Sequence, residues 1–323
     1  MELMIVHILL LILGLVILYF GAEYLVAGAS KIALSFGISP MIIGLTIVAL
    51  ATSAPEFVVS LLAAVRGSPD LAIGNVVGSN VANIALIVGA SAILLPMAVE
   101  RDVLRRDYPI MVVALFVAIG LAWSGSKIDR VDGLILLGIL AFFLAACLRV
   151  ALQQNRHFRA TGQMRALDPA DRKLGLQITK VVGGIIALVV GANLMVDNAV
   201  AIARHYEISE LVIGATIVAL GTSLPELATA IVAALRKEPD ISLGNILGSN
   251  IFNTCFILGG VSMIQPIEVS EQALRLDMPV MGAIGLLLFP IMRLSYKVTR
   301  ADGVLLLLAY AGYIVASVMG SGS

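Results

Sequence analysis

Residues 44–56, GLTIVALATSAPE, return as GATIVALGTSLPE at 214–226, with ten of thirteen positions identical. At the same offset of 170 residues, GNVVGSNVAN (74–83) returns as GNILGSNIFN (244–253), with six of ten positions identical. The offset also pairs GAEYLVAGA (21–29) with GANLMVDNA (191–199), DYP (107–109) with DMP (277–279) and RVDG (130–133) with RADG (300–303). One ungapped offset over this length marks an internal duplication, so the chain has to fold as two copies of one unit.

Composition says what that unit is made of. Of the 323 residues 60% are hydrophobic and only 13% charged, against about 25% charged in an ordinary soluble domain. Ten apolar segments are long enough to span a bilayer, at approximately 3–30, 40–65, 71–95, 108–124, 131–148, 181–202, 210–235, 241–265, 278–293 and 302–320. The first lacks the cleavage pattern of a signal peptide and reads as a retained helix. The expected fold is an all-α integral membrane protein of ten transmembrane helices in two five-helix repeats. Residues 1–150 and 177–323 form the repeats, and 151–176 form the linker, which lies within the only long polar stretch, 149–180.

Lysine and arginine set the orientation. With ten spans, 16 of the 21 basic residues fall on the side of the polar linker and 5 on the other. The excess places the linker in the cytoplasm and both termini outside. Five spans is an odd number, so the second repeat enters the membrane upside down. Inverted repeats are the mark of secondary transporters, with the site at the repeat interface.

The repeated motif supplies chemistry for such a site. Glu56 and Glu226 fall near the middle of their segments, where a carboxylate costs at least about 2.5 kcal/mol and its default reading is functional. Pro55 and Pro225 lack an N–H and should free carbonyls one turn earlier, around Ala51 and Gly221. Free carbonyls, the hydroxyls of Thr52, Ser53, Thr222 and Ser223, and the carboxylates are hard oxygen donors suited to Na⁺, Ca²⁺ or Mg²⁺. A kink with each acid paired to a neighbour is the plain alternative, but no lysine or arginine lies in the central part of any span. In the second motif Asn75 and Ser79, then Asn83, share a helix face, as do Asn245, Ser249 and Asn253. Ser79, Asn83 and their partners read as ion-lining, whereas Asn80 and Asn250 lie off that face and suit interhelical packing equally well. Glycines four apart in each copy allow helices to approach closely.

These motifs resemble the α-repeats of the calcium/cation antiporter superfamily, most closely its bacterial sodium/calcium exchanger branch. The resemblance covers nearly the whole chain. It implies a Ca²⁺ site of the Glu56 and Glu226 carboxylates with the Thr52 and Thr222 carbonyls. It also implies flanking Na⁺ sites that draw on Ala49, Ser53, Ser79 and Asn83, and on Ala219, Ser223, Ser249 and Asn253. Helices one and six would be the sliding gate, with Glu23 and Asp197 outside the ion site. Several relatives carry aspartate where Asn83 or Asn253 stands, K⁺-dependent ones in particular; here both are amides, which leaves a formal site charge of −2 and argues against K⁺ co-transport.

The implied activity is Na⁺/Ca²⁺ antiport in a bacterial inner membrane, with an H⁺-coupled divalent-cation exchanger as the alternative. Ca²⁺ and Na⁺ bind as substrates; no cofactor, enzymatic activity, nucleic-acid partner or obligate protein partner is expected. Cys147 and Cys255 read as core hydrophobes. Arg101 to Asp107 read as a solvated loop cluster, and Tyr108 and Trp123 as interfacial anchors.

Overall fold

The computed structural model describes residues 2–161, 173–206 and 219–320. Its long helices are α1 (Glu2–Phe36), the bent pair α2 (Pro40–Thr52) and α3 (Ala54–Val65), α4 (Pro69–Leu94), α5 (Val103–Gly125), α6 (Arg130–Ala160) and α7 (Leu174–His205). They continue with α8 (Leu224–Leu235), α9 (Pro239–Ile264), α10 (Ala273–Ser295) and α11 (Arg300–Gly320). Eight of these helices are long and apolar enough to cross a membrane on their own, and α2 with α3, bent by 42°, count as a ninth if the bent pair is taken as one span. The first part of the segment expected at 210–235, including Gly214–Val218 of the second motif, lies outside the described residues. The linker expected at 151–176 is helical at both ends: α6 runs on to Ala160 and α7 begins at Leu174.

The two halves meet as equivalent partners. Gly14 lies against Gly191 and Met195, and Gly21 against Gly184 and Leu188, so α1 and α7 run antiparallel. Exchanging the halves by 170 residues turns the contact of Gly14 with Gly191 into that of Gly21 with Gly184. The same exchange turns Gly89 against Gly303 into Gly133 against Gly259. Two short antiparallel ribbons obey it as well: β1 (Met97–Ala98) pairs with β4 (Lys297–Val298), and β2 (Lys127–Ile128) with β3 (Ile267–Glu268). Close backbone approach is what the glycines permit. A Cβ on Gly184 would sit 2.6 Å from the Leu25 nitrogen and 2.7 Å from the Gly21 carbonyl oxygen.

Polarity is arranged inside out, as a lipid environment demands. Ile5, Leu9, Ile12, Val16 and Phe20 of α1 and Phe142 of α6 are exposed, whereas Thr52, Ser53, Ser79, Asn80, Asn83, Ser249, Asn250 and Asn253 are buried. With no aqueous driving force between helices, packing and interhelical hydrogen bonds hold such a bundle.

Two local expectations are overturned. Tyr108 is no interfacial anchor: it is buried, and its hydroxyl donates to the Gly285 carbonyl at 2.8 Å. Asp107 is not solvated either; it is fully buried and bound in bidentate fashion by Arg106 at 2.7 and 2.8 Å. Trp123 stays exposed, its indole N–H donating to the Leu274 carbonyl at 3.2 Å. Cys147 and Cys255 are free and buried.

Candidate cation site

Each glutamate is placed by a break in its segment. Between α2 and α3 the backbone leaves helical geometry at Ser53 (φ −81°, ψ 3°), and Ser223 (φ −89°, ψ 5°) does the same before α8. The break falls two residues before each proline, among the small residues that precede it. Pro55 and Pro225 sit in the first turn of the following helix, where a missing N–H costs nothing. One residue on, Glu56 and Glu226 lie in the first turns of α3 and α8, where exposed N–H groups and the helix dipole favour negative charge.

The halves bind each other through these acids. Ser53 Oγ donates to Glu226 Oε1 at 3.1 Å, and Ser223 Oγ donates to Glu56 Oε1 at 3.3 Å. Ser223 Oγ also lies 3.3 Å from Ser79 Oγ. Thr52 donates to Asn245 Oδ1 at 3.1 Å and lies 3.5 Å from Ser249 Oγ, while Thr222 donates to Asn75 Oδ1 at 3.3 Å. Asn75 in turn donates to the Glu56 carbonyl at 3.2 Å and to Ser60 Oγ at 2.9 Å.

Both carboxylates are 0% exposed. Among the described residues, no lysine, arginine or histidine forms an ion pair with either. Each keeps one oxygen, Oε2, buried with no hydrogen-bond partner. Removing an unpaired charge from water costs several kcal/mol, so the ionised pair requires positive charge from elsewhere. No group of three or more His, Cys, Asp or Glu placed to hold a metal ion occurs among the described residues. The candidate donor set is thus two acids surrounded by hydroxyl, amide and carbonyl oxygens.

Of the twelve residues expected in the site, hydrogen bonds unite Thr52, Ser53, Glu56, Ser79, Thr222, Ser223, Glu226 and Ser249 across the halves. Asn83 and Asn253 stand apart from that network. They are fully buried in π-helical turns (Ala82–Ile87 and Phe252–Leu258), four residues beyond Ser79 and Ser249, and neither amide has a hydrogen-bond partner. π-Helical turns inside α-helices recur at functional sites. The Ala49 carbonyl accepts both the Ser53 N–H at 3.0 Å and the Thr52 hydroxyl at 3.3 Å. Ala219 opens the short turn Ala219–Gly221, and its side chain lies outside the described residues. Asn75 and Asn245, which tie the threonines to the opposite half, were absent from the expected ligand set. Their i, i+4 spacing to Ser79 and Ser249 in both motif copies was the signal.

The family model described as "Sodium/calcium exchanger protein" matches residues 6–149 and 177–319. The chain is 39% identical over 313 residues to the "Putative antiporter CaxA" of Alkalimonas amylolytica, covering 96% of this chain and 98% of that one. It is 35% identical to the "Sodium/calcium exchanger MaX1" of Methanosarcina acetivorans, over 96% of this chain and 98% of the relative. Its fold superimposes on the sodium-calcium exchanger NCX_Mj, soaked with 2.5 mM Na⁺ and 10 mM Sr²⁺, with a TM-score of 0.83 at 30% identity, covering 97% and 99% of the two chains. The gap between the two matched segments coincides with the polar stretch that divides the repeats. The chain belongs to the sodium/calcium exchanger family of the calcium/cation antiporter superfamily.

Proposed function

We propose that this multi-pass membrane antiporter exchanges Na⁺ for Ca²⁺ by alternating access, and that Glu56 and Glu226 are the shared anionic ligands. The observation that carries the reading is their pairing: two fully buried carboxylates, each held by a serine of the opposite half, each with a bare oxygen and no cationic side chain paired to it among the described residues. Thr52 and Thr222 contribute carbonyls to the Ca²⁺ site. Ala49, Ser53, Ser79 and Asn83, with Ala219, Ser223, Ser249 and Asn253, contribute to the Na⁺ sites.

Charge gives the mechanism. A formal charge of −2 is neutralised by one Ca²⁺ or by two Na⁺, and both ions accept the same hard oxygens. Occupancy by one excludes the other. The ion-free site carries its full charge through any closed, low-dielectric intermediate, which is costly. The loaded site passes, so exchange is obligatory. The H⁺-coupled alternative uses the same acids, since two closely placed carboxylates without a cation favour protonation of one of them.

In this reading residues 1–150 and 177–323 are inverted repeats joined by a cytoplasmic linker, 151–176, with both termini outside. The tenth span is 210–235, completed by α8. The antiparallel pairing of α1 with α7 and the reciprocal ribbons support the inversion.

The test is ⁴⁵Ca²⁺ uptake into Na⁺-loaded proteoliposomes with pH clamped on both faces. Uptake that requires internal Na⁺ is expected. Uptake indifferent to Na⁺ but driven by a pH gradient would replace this coupling with the proton-coupled one.

A further inference from the structure

A cavity of about 430 Å³ adjoins the cation site. Asn75, Ser79 and Thr222 of the cation site line it, together with Asp70, Asp277 and Tyr313. Its other lining residues include Ser270 and Gln272, beside the short β3 ribbon strand. On the orientation proposed above, this is the external end of the molecule.

Asp277 is the unusual group in this wall. It lies in a π-helical turn (Ala273–Asp277) at the start of α10, with the Tyr313 and Ser317 hydroxyls of α11 facing its carboxylate. Its Oδ1 is buried without a hydrogen-bond partner. No basic residue among the described residues pairs with it, and nearby Arg275 is engaged with Glu271 at 2.6 Å. The duplication provides an internal comparison. The equivalent residue in the first half, Asp107, is neutralised by Arg106, and the position equivalent to Arg106 holds Leu276. The second half thus keeps the acid without the cation that compensates the first, and faces it instead with two hydroxyls where the first half has Phe143 and Cys147.

We propose that Asp277 forms an outer cation station: it holds a hydrated Na⁺ or Ca²⁺ in the cavity before the ion moves on to Ser79, Thr222 and the glutamates. This rests on the paired-glutamate reading of the inner site. A fixed negative charge in the wall of a confined cavity concentrates cations and speeds their entry. It acts only on ions arriving from that side. Capture changes arrival and departure together, so the equilibrium affinity of the inner site is unaffected.

The experiment compares ⁴⁵Ca²⁺ exchange in right-side-out and inside-out membrane vesicles for wild type, Asp277→Asn, Asp277→Glu and Leu276→Arg. Leu276→Arg installs the pairing found at Arg106 and Asp107, and it tests the station even if Asp277→Asn does not fold. Asp277→Asn and Leu276→Arg should raise the KM for externally presented Ca²⁺ by about three- to tenfold. The KM from the cytoplasmic side should be unchanged, and Asp277→Glu should retain wild-type behaviour. An external KM that does not move, or an equal rise on both faces, would overturn the station and leave Asp277 a structural residue. Loss of Na⁺-dependent exchange in the wild type itself would instead sink the inner-site reading.

Discussion

Ser53 of the first half donates its hydroxyl to Glu226 of the second at 3.1 Å, and exchanging the halves converts this contact into Ser223 with Glu56 at 3.3 Å. Each half therefore sets the position of the acid supplied by the other. Hydrogen bonds to a charged group contribute about 1.5–3 kcal/mol. Ser53→Ala and Ser223→Ala should each weaken Ca²⁺ binding by at least about tenfold, with Ser→Thr milder at both sites. Calorimetric titration of the purified variants checks this, and alanine variants that bind like wild type would remove the serines from the site.

The α1–α7 contact has no room for a side chain at Gly184, whose added Cβ would meet Leu25 backbone at 2.6 Å. Gly184→Ala must separate the helices, at about 1–3 kcal/mol for an overpacked position. The expected result is a thermal transition in detergent lowered by several degrees, together with slower exchange. Gly183 has nothing within 4 Å of an added Cβ among the described residues, so Gly183→Ala should have little effect.

Gly37 turns the chain from α1 into α2 with a φ of +63° beneath the Phe158 ring. Nearby, Gln154 accepts the Ser39 N–H at 2.9 Å, and Asn155 donates to the Phe36 carbonyl. An L-residue in this left-handed conformation costs about 1–2 kcal/mol before any clash. Gly37→Ala should lower thermal stability, and adding Phe158→Gly should recover the steric part but not the backbone part, whereas Phe158→Ala keeps a Cβ that still meets the new side chain.

Arg106 and Asp107 form a pair in which the acid is 1% exposed. Arg106→Leu strands that charge, and breaking a buried pair from one side costs about 3 kcal/mol or more. The double variant Arg106→Leu with Asp107→Asn should recover most of the lost stability in a thermal melt. Strictly additive losses would mean that the pair is not coupled.

Much of this was legible in the sequence, because duplication and hydropathy are properties of residue order. The fixed offset marked the two acids, the serines that bind them and the Ser79 and Ser249 faces, and the structure brings these together. Spans were legible wherever apolar length decides the outcome. What pattern could not give was the fate of polar groups at helix ends. Asp107 and Tyr108 follow a run of arginines and read as surface, yet Arg106 neutralises the acid and Gly285 takes the tyrosine hydroxyl, so both are buried. The helix starts after the break are a related case. Proline marks a helix start as readily as an end, and here Pro55 and Pro225 open α3 and α8. Asn75 and Asn245 were visible as a helix face, but only the cross-half bonds to Thr222 and Thr52 reveal their role.

The central claim is that Glu56 and Glu226 hold the exchanged cations jointly. It is tested most directly by equilibrium ⁴⁵Ca²⁺ binding to purified wild type, Glu56→Gln and Glu226→Gln, with Na⁺ as competitor. The account predicts that wild type binds Ca²⁺, that Na⁺ displaces it with a dependence steeper than one for one, and that either glutamine variant loses measurable binding while remaining folded. Ca²⁺ binding of wild-type affinity in either variant would contradict it.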